Sequence, residues 1–130
     1  MKKLFVSVPM KGRTEKEIRE SIEKMKKIAE IYEGEELELI DSYIEDNPPQ
    51  NSNQGLWYLG ESLKKMSEAE VFIGIDSAWE WRGCDVEERA AMAYEIKKHI
   101  VPAVSVIPNY RELINSRYAD IATDCAPLPY

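Results

Sequence analysis

The sequence predicts an α/β domain, a doubly wound parallel sheet of four to five strands with helices on both faces. Three observations carry that prediction: short β-branched runs with the look of buried strands, amphipathic segments of helical period between them, and a length of 130 residues that suits one core. The chain is accordingly read as one domain spanning residues 1–130.

Leu4 to Val8 is a β-branched and aromatic run closed by Pro9, which predicts the first strand. Thr14, with Glu17 three positions later, has the form of a capping box and predicts a helix start. Ile18, Ile22, Met25, Ile28, Ala29 and Tyr32 then recur at helical spacing, and Gly34 supplies the stop. Leu37, Leu39, Ile40 and Tyr43 predict a second strand. The polar stretch from Asp46 to Gly55 holds Pro48 and Pro49 among amide side chains, and so predicts a long loop of the binding or lid type. Helical period resumes from Leu56 through Leu59, Leu63 and Met66, and Val71 to Asp76 predicts a third buried strand. A Trp-rich turn, Ser77 to Cys84, leads to a third helix beginning near Asp85. Ile100 to Ile107 is a fourth β-branched run, in which Pro102 implies a late start or a bulge. Tyr110 to Tyr118 predicts a last short helix, with an irregular tail from Ala126 to Tyr130. This alternation is the flavodoxin-like pattern, whose ligands bind at the carboxyl ends of the strands. Those ends carry Ser7 to Arg13, Asp41 to Asp46 and Asp76 to Cys84.

Composition narrows the function. The chain has 17 basic and 24 acidic side chains, a formal charge of −7, and 44% apolar with 32% charged residues. Such a balance fits a globular cytoplasmic domain and argues against binding a nucleic acid polymer, which needs many cations on phosphates. The apolar start at Leu4 is too short for a signal peptide, and no run approaches a membrane span. Cys84 and Cys125 share no metal-type spacing with His99, the only histidine, so neither a metal nor another cofactor is expected. His99 itself reads as a structural or surface residue.

The remaining candidates for chemistry are carboxylates. On a wheel of about 100° per residue, Val86, Ala90, Ala93 and Tyr94 share an arc expected to face the sheet, with Glu87 at its edge and Glu88 pointing away. Glu88 fits a capping box begun by Asp85. Glu87 either complements the helix dipole or is kept ionised by it as a nucleophile. Asp76 closes a strand, where an aspartate also serves as a turn residue. Trp57, Tyr58, Trp79 and Trp81 offer stacking surfaces or core packing, Arg13 a phosphate partner or a solvated cation, and Cys84 a small buried side chain or a helix-start thiol.

Several segments resemble one family. Phe5-Val6-Ser7-Val8-Pro9-Met10-Lys11-Gly12 is similar to the "ISGPMxG" strand and loop of nucleoside 2-deoxyribosyltransferase-like proteins. Ala69 to Ile73 resembles their "ADvvi" strand, and Gly83-Cys84-Asp85-Val86-Glu87 their "GCxxE" helix start. Asp41 to Tyr43 and Leu56 to Ser62 resemble the short branch of that superfamily common in phages and gut bacteria. Val8 stands where the family prefers glycine, Glu70 where it has aspartate, and Glu95 where glycine follows the alanines. A bulkier Val8 narrows the space beside a sugar.

The resemblance implies that Glu87 attacks C1′ of a nucleoside or nucleotide, cleaving the N-glycosidic bond or exchanging the base. It implies that Asp76 touches the base or assists its protonation, and that the loop holding Ser7, Pro9, Met10, Gly12 and Arg13 binds the sugar or a 5′-phosphate. Asp46, Trp79, Trp81 and Gly83 complete the expected binding set. A homo-oligomer, a dimer or larger, is implied as well, with the pocket across its interface. The alternative from the same residues is a module that binds and sequesters a nucleotide, or a nucleotide-derived signal, without turnover. A third reading keeps the fold as an interaction protein and loses the pocket.

Overall fold

The computed structural model describes residues 1–42 and 44–124, with side chains through Tyr118. Tyr43, Cys125 and the tail from Ala126 to Tyr130 lie outside the described residues.

Four strands, β1 (Lys2–Val6), β2 (Leu37–Leu39), β3 (Val71–Ile75) and β4 (Lys97–Val101), form one all-parallel sheet in the order β2-β1-β3-β4. Leu4 pairs in register with Leu39 on one side and Val71 on the other, and Ile73 pairs with His99. The chain moves outward from β1 to β2, then returns to the far side of β1 for β3. The switch point therefore lies between β1 and β3, which in such sheets opens a crevice beyond their carboxyl ends.

The period of two along the strands divides the core. Leu4, Val6, Val71, Ile73 and Ile75 pack on one face with α1 (Glu15–Glu33), α4 (Ala103–Val106) and α5 (Tyr110–Asp124). Phe5 and Phe72 stack at 6.0 Å on the other, beneath α2 (Gln54–Met66) and α3 (Arg82–Ala93). Helices thus cover both faces, as the sequence predicts.

Local signals explain the boundaries. Thr14 Oγ1 accepts the Glu17 N–H and Glu17 Oε1 accepts the Thr14 N–H, a complete capping box. Gly34 ends α1 in the left-handed conformation, φ 71°. Asn53 caps α2 through the Leu56 N–H, so this helix starts two residues before the apolar period becomes visible.

Three expectations are corrected. Helix α3 begins at Arg82, not near Asp85, because Trp81 takes the extended N-cap conformation and its carbonyl accepts the Asp85 N–H at 2.8 Å. Asp85 consequently lies inside the helix and pairs with Arg89, while Glu88 pairs with Lys98 rather than closing a capping box. The buried face of α3 differs as well. Cys84 and Ala91 are buried, whereas Val86, Ala93 and Tyr94 are exposed, so the inward stripe runs through Cys84, Glu87 and Ala91. Finally, β4 precedes Pro102 instead of following it. Proline has no N–H for the ladder, and it stands at the N-cap of the short turn α4.

Candidate active site

Three elements meet where β1 ends. Ser7 follows β1, and its N–H donates to the Ile73 carbonyl at 2.9 Å, which continues the ladder to β3 and fixes the side chain on the Phe5 side of the sheet. From there Ser7 Oγ donates to Glu87 Oε1 at 2.8 Å. Ser62, from α2, donates to Glu87 Oε2 at 2.6 Å. Both carboxylate oxygens are thus held by neutral hydroxyls, and no cation pairs with Glu87 among the described residues.

Electrostatics follow from this arrangement. Burial raises the Glu87 carboxyl above its ordinary value, and the hydrogen bonds from Ser62 and Ser7 oppose the rise. Glu87 is the sixth residue of α3, beyond the first turn where the dipole acts, so the expectation that the helix start keeps it ionised is replaced by support from the two serines. Burial, followed by the charge of Glu87, pushes the neighbouring Cys84 thiol up to about 12. Cys84 is a buried packing residue, and the helix start does not make it a reactive thiol.

Glu87 lines a cavity of about 380 Å³ at this end of the sheet. Its walls include Val8, Pro9, Met10 and Lys11 from the β1–α1 connection, Ser42 and Ile44 from the loop after β2, Tyr58 and Ser62 from α2, Gly83 from α3, and Arg117 from α5. The size falls in the usual small-molecule range of roughly 300–1,000 Å³. Apolar walls with a few converging polar groups are the common design of such sites.

Among the sequence-predicted residues, Pro9, Met10, Trp81, Gly83 and Glu87 line the cavity, and Ser7 reaches it through Glu87. The others lie apart. Asp76 Oδ1 accepts the Ala103 N–H at 3.0 Å and ties β3 to the start of α4. Asp46 is an exposed loop residue, and Trp79 is 70% exposed on a 3-10 turn, Ala78–Glu80. Gly12 takes the left-handed conformation, φ 77°, against Leu113. Arg13 braces the loop, its guanidinium donating to the Pro9 and Glu17 carbonyls and to Ser21 Oγ. Trp81 is largely core, with its indole N–H on Tyr110 Oη at 3.0 Å.

Two residues were not singled out from the sequence, Ser62 and Arg117. Each sits on the inward stripe of its helix: Ser62 beside Leu59, Leu63 and Met66, and Arg117 after Tyr110, Leu113 and Ile114. A polar side chain on an apolar stripe is the signal that marks both, and Glu87 between Cys84 and Ala91 shows it too. Comparison with protein-family models, curated proteins and solved structures gives no match.

Proposed function

We propose that this cavity binds a nucleoside or nucleotide and that Glu87 breaks or exchanges its N-glycosidic bond. The observation that carries the reading is a carboxylate at the switch-point end of the sheet, facing a small-molecule-sized cavity and oriented by two hydroxyl donors. One Oε of Glu87 attacks C1′ as the C1′–N bond breaks, and the bond pair leaves with the base, which takes up a proton. Water or a second base then attacks C1′, and the electron pair of the ester bond returns to Glu87. Ser7 and Ser62 aim the carboxylate and favour its charged form before attack. Asp76 lies outside the cavity, so the departing base takes its proton from solvent, and the water or second base that attacks C1′ returns one to solvent. As part of this reading the chain forms at least a dimer, to which the exposed Trp79 is available.

The second reading, a binder that sequesters a nucleotide without turnover, is favoured by one feature: Asp76 is committed to the Ala103 N–H, which leaves Glu87 as the sole acid on the cavity wall among the described residues. Incubating the protein with a mixture of nucleosides, deoxynucleosides and their 5′-monophosphates, and following free base by chromatography, separates the two. Base release that disappears in Glu87→Ala supports the enzyme. Retention of intact nucleotide by both forms, without release, supports the binder.

A further inference from the structure

Arg117 is the one cavity residue whose charge the proposed chemistry leaves unused and whose hydrogen bonding is incomplete. Its Nη1 is buried and has no hydrogen-bond partner among the described residues. The same Nη1 is ion-paired with Glu80 Oε2 at 3.6 Å, too far for a hydrogen bond, and that oxygen already accepts the Tyr118 hydroxyl. The guanidinium carbon lies 5.0 Å from the centre of the Trp81 ring, so packing on an aromatic face holds the group at the cavity wall. A buried guanidinium N–H without an acceptor is rare, because its desolvation is uncompensated.

The cavity also reverses the sign of the chain around it. Lys11, Arg82 and Arg117 line it against Glu87 among the described residues, in a protein of net charge −7. The same wall includes the start of α3, where Trp81 provides no side-chain cap for the first N–H groups. An uncharged ligand brings no negative charge to this cationic wall. A planar guanidinium that lines the cavity and makes no hydrogen bond among the described residues fits the oxygens of a phosphate monoester.

We infer that Arg117 is a specificity-determining residue that binds the phosphate of a nucleoside monophosphate, so that the cavity prefers the nucleotide to the free nucleoside. The inference rests on the nucleoside-type reading of the site and adds the charged class of ligand to it. Trp81 supports the guanidinium from one face, Glu80 keeps it at the wall, and Lys11 and Arg82 at the exposed rim draw the anion in.

The test is titration calorimetry of the full chain with purine and pyrimidine deoxynucleosides and ribonucleosides, and with their 5′-monophosphates, on the wild type, Arg117→Met and Arg117→Lys, in forms that also carry Glu87→Gln to prevent turnover. The wild-type background is expected to bind a monophosphate about 10- to 100-fold more tightly than its nucleoside. Arg117→Met is expected to erase that ratio while leaving nucleoside affinity unchanged, and Arg117→Lys to restore part of it. Equal affinity for nucleoside and monophosphate in the Glu87→Gln background, or an equal loss of both in Arg117→Met, overturns the inference and leaves the nucleoside reading standing. Binding of neither class to any form overturns the nucleoside reading itself, and this inference with it.

Discussion

Two glutamates mark opposite ends of the same sheet and are treated in opposite ways. Glu33, in the last turn of α1, lies near the strand starts with its side chain only 1% exposed, 2.6 Å from His99 Nε2, 2.9 Å from Lys97 Nζ and 3.7 Å from Lys2 Nζ. His99 foremost, and then Lys97, hold its carboxyl down at about 2. Glu87, near the strand ends, has only two hydroxyl partners, and burial raises it. The first is a carboxylate matched to cations from two strands. The second is a carboxylate that folding leaves incompletely compensated, a state found disproportionately at functional sites.

The two carboxyls therefore load the pH dependence of stability with opposite signs. Glu33, depressed in the folded state, contributes stability that is fully present above its ordinary value near 4.5 and is lost as pH falls toward about 2. Glu87, raised in the folded state, favours folding while protonated, and that contribution is lost as pH rises through its raised value.

The largest expected effect breaks the comparison on the Glu87 side. Replacing Glu87 with Ala or Gln should lower base release by about 10³-fold or more, as loss of a nucleophile does. Glu87→Gln should at the same time raise stability at neutral pH by about 0.5–2 kcal/mol, since it removes a buried charge and keeps the shape, and a denaturant titration reads this. At the other end, Glu33→Gln should destabilise by about 1–3 kcal/mol at neutral pH and flatten stability between about pH 5 and 2. If Glu33→Gln stabilises the protein and Glu87→Gln weakens it, the contrast is reversed.

Ser62→Ala sharpens the contrast. With one hydroxyl gone, Glu87 should titrate still higher, the acid limb of the rate profile should move to higher pH, and base release at neutral pH should fall about 10-fold. The smallest expected effect is Glu95→Gly. Glu95 follows α3 at φ 59°, in the left-handed region that favours glycine, so the change should raise Tm through about 0.5–1 kcal/mol of relieved strain and leave base release unaltered.

Strand and helix alternation was legible because its signals are local: the β-branched run at Leu4 to Val6, the Thr14 and Glu17 capping box, and the stop at Gly34. The start of α3 was not, because Asp85 with Glu88 imitates a capping box while the real cap, Trp81, acts through its backbone alone. The inward stripe was misplaced for a separate reason, which put Glu87 at its edge rather than its centre. Cys84, Glu87 and Ala91 carry the right spacing, but exposed Val86 and Tyr94 present a more apolar one. Asp76 reads as a site residue because it closes a central strand, and it turns instead toward the following β4 connection. Ser62 and Arg117 come from α2 and α5, far in sequence from Ser7 and Glu87, so only the packed structure brings them to one cavity.

The claim that Glu87 carries covalent chemistry is tested most directly by intact-protein mass spectrometry after brief incubation with the same mixture of nucleosides and 5′-monophosphates, followed by peptide mapping. The expected result is a sugar-sized or sugar-phosphate-sized adduct on Glu87 that is absent from Glu87→Ala and accompanies release of base. Base release that persists in Glu87→Ala, or an adduct mapped to another residue, would contradict it.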